Sequence, residues 1–448
     1  MAGETFKYEL LLEEVNTLCE QGHILNKEYY KERINKYKHN QQQLNKIYKE
    51  LLKTPISKEF KYEEPSSLEE IIAASDFEKL NKVNENVSYD KIYGAWLGRV
   101  GGCILGVPCE GFRYDVIATY LKKANAYPLK DYLPLTSKAN EEDKIYLYRT
   151  HCCKDQFSSA CSDDDIRFSI LANILVEEKG VHFTRFDVAM NWMNHLPICD
   201  VWTAETQSYI NFVTLDRPVH YTEPFNDKKT WDYVANYFNP YVEWIGAQIR
   251  IDTYGYIAAN NPKLAAKMAY QEASFSHRKN GIYGAMYFAT LISLAFSAKT
   301  IKEAVIEALK VVPKKSRFYE DMKKTIQIAE NANSQDELIK EIVETFDSYH
   351  RVHTIPNAAI VVASLIYGKE NYMDSMCLAI MMGKDTDCNG ATIGSILGAF
   401  YGAKNTPLTL TGPLNDTCYS SLADYHPVKI SALAQKTYEM YLKYKNEL

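Results

Sequence analysis

From Tyr89 onward, apolar positions recur every three or four residues, and strand-like alternation is scarce. That period predicts helices over Asp187–His195, Lys263–Phe275, Gly281–Phe296, Ile301–Val311, Phe318–Asn331, Gln335–Phe346, Ile355–Tyr367 and Met373–Met382. The expected fold class is all-α, one large helical bundle over residues 86–448. Residues 203–245 break the pattern, being polar, aromatic and irregular, and read as a long loop with short helices.

Residues 1–85 read as an N-terminal helical extension. Leu11, Val15 and Leu18 share one helical face, and Gly22 can stop that helix. The run from Asn26 to Lys53 has no glycine. Its Tyr30, Ile34, Tyr37, Leu44, Tyr48 and Leu51 keep coiled-coil spacing, with Gln41 interrupting the stripe. Seven Lys, one Arg and three Glu between Lys27 and Lys53 give it a net charge of +5. A helical arm docked on the main domain fits this pattern, and so does one that meets an acidic partner protein. Pro55 ends the run. Ser66 followed by Glu69 reads as a capping box.

Two predicted helices carry glycine at strict i, i+4 spacing: Gly94, Gly98, Gly102, Gly106, and Gly390, Gly394, Gly398, Gly402. Each glycine costs a helix interior ~1 kcal/mol relative to Ala. Such stripes persist where helix backbones approach closely, as small-xxx-small motifs do. If the two stripes pack on each other, the end of the first helix, and with it Glu110, comes near the start of the second.

Composition excludes several classes. The net charge of −6 provides no global basic field for nucleic acid. The longest apolar run, Ala285–Phe296, is too short to span a bilayer. The N-terminus lacks a basic stretch followed by an apolar core, so no export signal is expected. The ten cysteines form no CxxC pair and no zinc-type spacing with histidine, which fits a reducing cytoplasm.

Two aspartate clusters lie 222 positions apart (385 − 163), each opening a helix: Ser162-Asp163-Asp164-Asp165 and Asp385-Thr386-Asp387-Cys388. Adjacent carboxylates raise one another's pKa unless a cation sits among them. If the clusters meet, their oxygen-rich donor set suits hard divalent ions such as magnesium. Simpler readings exist for the same residues. Ser162 with Asp165 can be a capping box, and Asp163 and Asp164 suit the helix dipole.

Taken in order, YDKIYGAWLGRVGGCILGVPCEG from Tyr89, the Ser162–Asp165 cluster, Ser276-His277 within SFSHRKNGIYGA, and GKDTDCNG from Gly383 resemble the ADP-ribosylglycohydrolase family over roughly residues 89–420. The resemblance implies an all-α bundle of that type around a cleft holding two divalent metal ions, magnesium first and manganese second. It implies an activity that hydrolyses an N- or O-ribosyl bond and releases ADP-ribose. It places metal ligands at Ser162, Asp163, Asp164, Asp385, Asp387 and Cys388. It gives catalytic roles to Glu110, Asp163, Asp164 and Asp387. His277 and Arg250 fall on substrate-contacting positions. Asp252 and Gly390 are added as substrate-binding candidates, Gly390 because amides at a helix start suit a diphosphate.

The chain departs from the family pattern in several places. Cys388 stands where the family has Thr, and a thiolate matches magnesium poorly. Ser162 replaces Thr, Cys103 replaces an Asp, and WIGAQIRID over 244–252 replaces an NGGAMR-like segment. Arg250 and Asp252 also read as a structural ion pair. Two other functions fit the same cleft: hydrolysis of a small nucleoside- or ADP-ribose-like metabolite, and binding of ADP-ribose without turnover.

Overall fold

A computed structural model describes residues 6–215 and 227–447, and nearly all its regular structure is helical. Among the described residues the strands are Thr417–Cys418 and Val428–Lys429, paired antiparallel. The fold is all-α, as the apolar period requires. Among the described residues no helix is long and apolar enough to cross a membrane.

Capping sets where the helices begin. Thr184, Ser316 and Asn371 each accept from the backbone N–H three residues on. Their helices, Arg185–His195, Arg317–Asn331 and Tyr372–Met382, therefore start one or two residues before the apolar period does. Ile301–Ala308 stops short of Val311 because Leu309–Val311 tightens into a 3-10 turn. The capping box lies one residue later than expected, with Ser67 and Glu70 bonded to each other. Ser66 accepts from the Lys279 amide instead.

The run from Asn26 to Lys53 is two helices rather than one, Lys27–Lys36 and Gln41–Leu51. Asn40 caps the second by accepting from Gln43 N, so the interruption at Gln41 marks a helix start. With Lys7–Glu20 these helices bury Leu11, Val15, Ile34, Leu44 and Leu51 against Ala204, Phe238, Tyr241 and Trp244. Thr17 donates to Pro240 O at 2.8 Å, and Tyr48 donates to Asn236 O at 3.0 Å. The 203–245 segment under them is more helical than its composition suggests, with Thr203–Val213 and Lys228–Asn236. Its residues 216–226 lie outside the described part.

The two glycine helices, Tyr89–Gly106 and Thr386–Tyr401, cross face to face in opposite directions. A Cβ on Gly98 would lie 1.9 Å from Gly394 O, and one on Gly102 2.1 Å from Gly390 O. One on Gly106 would lie 2.2 Å from Thr386 O. Backbone meets backbone along the whole stripe, leaving no room for any side chain. Gly402 ends the second helix at φ +80, a conformation glycine adopts freely.

Candidate active site

Four chain segments converge where the glycine helices end. The first helix runs through the turn Val107–Cys109 into Glu110. Gly111 N donates to Lys384 O at 2.7 Å, and Lys384 N donates to Phe112 O at 3.0 Å. These two bonds fasten the Glu110 segment alongside the second aspartate cluster. Gly111, Gly383 and Lys384 all take positive φ there, so the chain reverses tightly at both strands of the contact.

Asp163 is the N-cap of the helix Asp164–Lys179, its Oδ1 accepting from Asp165 N at 3.1 Å. The capping role expected of Ser162 therefore belongs to Asp163. Ser162 Oγ lies 2.9 Å from Ser421 Oγ and accepts from Arg167 Nη2 at 3.2 Å. Asp385 occupies the N-cap position of the second glycine helix without a side-chain cap bond. Its backbone N–H instead donates to Asn357 Oδ1 at 3.2 Å, and Asn389 Nδ2 reaches the same oxygen at 3.0 Å.

The side chains close on one another in two groups. Carboxylate oxygens of Glu110, Asp385 and Asp387 lie within 4.8 Å of each other, and so do those of Asp163, Asp165 and Asp387. Asp387 belongs to both. Its Oδ1 is buried with no hydrogen-bond partner among the described residues.

The electrostatics reflect this crowding. Burial, then the Asp385 and Asp163 charges, push the Glu110 carboxyl up to about 7, with Arg149 and Arg351 opposing. Burial and then Glu110, Asp385, Asp163 and Asp165 hold Asp387 well above the usual carboxylate range. Asp164 is raised in the same way by burial and Asp163, with Glu110 and Asp385 adding and Arg167 opposing. Burial raises Asp385 too, against a hydrogen bond from Asp387 and the charge of Arg351. So many carboxylates held against their preference for charge are what a cation would relieve. The donor set is all oxygen, which fits hard divalent ions.

Two arginines already answer part of this charge. Arg149 Nη1 donates to Asp163 Oδ2 at 2.7 Å from the open side. Arg99, fully buried, donates to Asp165 Oδ1 at 2.7 Å and to Asp252 Oδ2 at 3.0 Å. Arg99 also reaches Asp165 O and Ile249 O, so it pins the aspartate helix from behind.

The other sequence-derived candidates lie in closely packed surroundings. Asp252 is wholly buried on Arg99, which also holds Asp165. Arg250 is not paired with it. Arg250 binds Glu272 at 2.5 Å, Glu205, and Ser276 Oγ at 2.9 Å, with the Trp192 ring 5.0 Å away. His277 is fully buried with Nδ1 2.8 Å from Ser276 Oγ, and burial keeps it far below its ordinary pKa. Gly390 is covered by Gly102 O, 2.4 Å from where its Cβ would stand, so it is a packing glycine. Cys388 Sγ stands outside both carboxylate groups, and burial, then the Asp165 and Asp385 charges, push its thiol well up.

Sequence reasoning missed Arg99, Arg149 and Asn357 at this centre, and gave Asp165, though within the first cluster, only a capping role. Arg99 and Asn357 carried a signal, each being the one charged or amide side chain in an apolar stretch, 92–107 and 355–363. Arg149 lies in an irregular stretch and carried none. A cavity of about 610 Å³ lies elsewhere, between Ser66–Glu70 and Arg185, Arg278 and Lys279, and none of the carboxylates lines it.

No curated protein matches the chain. A solved structure titled "ADP-ribosylglycohydrolase-related protein complex" is similar at 16% identity, covering 79% of this chain and 98% of that chain with a TM-score of 0.48. The family model described as ADP-ribosylglycohydrolase matches residues 84–442, from just before the first glycine helix into the C-terminal helix Ile430–Tyr444. The chain belongs to the ADP-ribosylglycohydrolase family.

Proposed function

We propose that this protein is a metal-dependent hydrolase of an ADP-ribosyl N- or O-glycosidic bond, releasing ADP-ribose. The observation that carries the reading is the pair of three-carboxylate groups joined through Asp387, whose buried Oδ1 has no partner among the described residues. Two divalent cations, magnesium or manganese, would be held by Asp163, Asp165 and Asp387 on one side and by Glu110, Asp385 and Asp387 on the other. Asp164 stands beside them. Bound there, such ions hold ribose hydroxyls and lower the pKa of a water.

The chain's own groups do the rest. Cleavage passes through an oxocarbenium-like state at the anomeric carbon. The carboxylates of Asp163, Asp164 and Asp387 favour that positive charge. Glu110, on the segment fastened alongside the second aspartate cluster, is the group placed to pass a proton to or from the attacking water. Arg149, on Asp163 Oδ2 at 2.7 Å, holds that carboxylate toward the open side. Ten free cysteines are consistent with a cytoplasmic setting.

The test is ADP-ribose release by the full chain from arginine-, serine-, nucleic-acid- and small-molecule-linked ADP-ribose, with magnesium, with manganese and with EDTA. Release from one class that EDTA abolishes is the expected result. Binding of ADP-ribose without release would overturn the hydrolase reading in favour of a binding protein.

A further inference from the structure

A second reactive cluster sits beside the carboxylates without belonging to them. Cys152 Sγ lies 3.0 Å from Cys161 Sγ. Cys152 is buried at 1% exposure, whereas Cys161 is partly open to solvent. The exposed His151 brings a ring nitrogen within 4.8 Å of both sulfurs.

Two chemistries use such a group, and the spacing favours one. A tetrahedral zinc with Zn–S bonds of ~2.3 Å holds two thiolates ~3.8 Å apart. These sulfurs are already closer than that, and about an ångström from the roughly 2.05 Å of a formed disulfide. The backbone on each side is anchored, so the pair is presented rather than brought together by chance. Cys152 N donates to Arg149 O at 2.8 Å. Ala160 N donates to Thr417 O at 2.9 Å, and Tyr419 N donates to Ala160 O at 3.1 Å.

We propose that Cys152 and Cys161 are a modification site, a reversible disulfide formed by exchange with a low-molecular-weight disulfide. The Cys161 thiolate attacks one sulfur of the oxidant, forming a mixed disulfide and expelling one thiolate. The Cys152 thiolate then attacks the Cys161 sulfur and expels the second. The chain loses two protons and two electrons, and the oxidant leaves as two thiols. The order follows exposure, since only Cys161 is open to an external molecule. The bond ties together the two ends of the Arg149–Asp163 ion pair, three residues before Cys152 and two after Cys161.

The experiment incubates the full chain with graded ratios of oxidised to reduced glutathione and maps linkages by peptide mass spectrometry without reduction. Wild type should give a Cys152–Cys161 linked peptide, lighter by two hydrogens and reversed by dithiothreitol. Cys152→Ser should instead keep glutathione on Cys161. Absence of the linked peptide at every ratio overturns the proposal. So does a stable glutathione adduct at Cys161 of the wild type. Stoichiometric zinc on the reduced chain, lost in Cys161→Ser, would overturn it in favour of a metal site.

Discussion

Asp387 is the side chain that both carboxylate groups share, and burial with four neighbouring acids pushes its carboxyl well above the usual range. Asp387→Asn replaces the carboxylate that the two groups share with an amide of the same shape. Calorimetry with magnesium should show binding lost, and ADP-ribose release should fall to the level seen with EDTA. The helical circular dichroism should be unchanged. Magnesium affinity equal to wild type would remove Asp387 from the ligand set. A different buried acid tests electrostatics away from the centre. Glu14, 8% exposed with Oε2 unpartnered among the described residues, is pushed up to about 7 by burial, Glu13 adding and Lys279 opposing. The ordinary value is 4.5, so the folded chain holds this proton more tightly than the unfolded chain does. Stability is therefore lost as pH rises from the unfolded value through about 7, by about 3 kcal/mol in all at full burial. Glu14→Gln should raise the melting temperature at pH 8 and leave it unchanged at pH 4. An equal shift at both values would mean that the effect is packing. At this scale, legibility in the sequence tracked context. Asp163, Asp385 and Asp387 stood in clusters whose residue types already implied chemistry. Arg250 and Asp252 stood two residues apart in sequence, yet folding sent them to different partners, Glu272 and Arg99.

Between elements, the crossing of Tyr89–Gly106 and Thr386–Tyr401 sets the spacing of the centre, because both aspartate-bearing and glutamate-bearing ends hang from it. Glycine-to-alanine substitutions along this contact sort by what the new methyl meets. In Gly98→Ala it would meet Gly394 O at 1.9 Å, and neither backbone can yield without moving a helix. The helix-propensity gain of ~1 kcal/mol is outweighed by overpacking of about 3 kcal/mol or more. A net loss of about 2 kcal/mol is expected by urea unfolding, together with weaker magnesium binding as the ends separate. Gly101→Ala meets only the Leu410 side chain, at 2.8 Å, and should cost less. Gly412→Ala meets nothing within 4 Å and should be silent. Equal costs at Gly98 and Gly412 would show that the stripe is not a packing surface. This contact was readable in advance because a four-residue glycine period has few other physical explanations. Helix starts were less readable. The apolar period fixes the buried face, but the boundary depends on a cap such as Thr184 or Ser316, and serines and threonines are common in loops too. The division at Asn40 was hidden for the same reason.

Across the whole molecule, the N-terminal helices and the carboxylate centre are joined through one buried network that no sequence period announces. Glu243 accepts from Gln21 Nε2 at 2.8 Å, Asn280 Nδ2 at 2.6 Å and Arg317 Nη2 at 2.7 Å. Arg317 also binds Glu64 at 2.7 Å and Glu20 O at 3.2 Å, so it clasps the first 64 residues to the bundle. The path continues through the next residue, where Trp244 stacks on His350 at 4.3 Å. Asn357 then donates to Arg351 O at 2.8 Å and His353 O at 3.0 Å, while its Oδ1 receives the Asp385 amide. A chain of hydrogen bonds and one ring stack thus runs from the extension to the N-cap of the second glycine helix. Breaking it at Arg317 should be felt at both ends. Arg317→Ala leaves Glu64 and Glu243 buried without their counter-charge, a situation that costs about 3–5 kcal/mol. The melting temperature should fall accordingly. Native-state hydrogen exchange discriminates transmission from general loosening. If the network is continuous, the peptide carrying Asp385–Asn389 exchanges faster in the variant, while the aspartate helix Asp164–Lys179, held by Arg99 from the other side, keeps its protection. Uniform acceleration of both would mean that Arg317 only stabilises the fold. Acceleration confined to the N-terminal helices would mean that the extension docks without reaching the site.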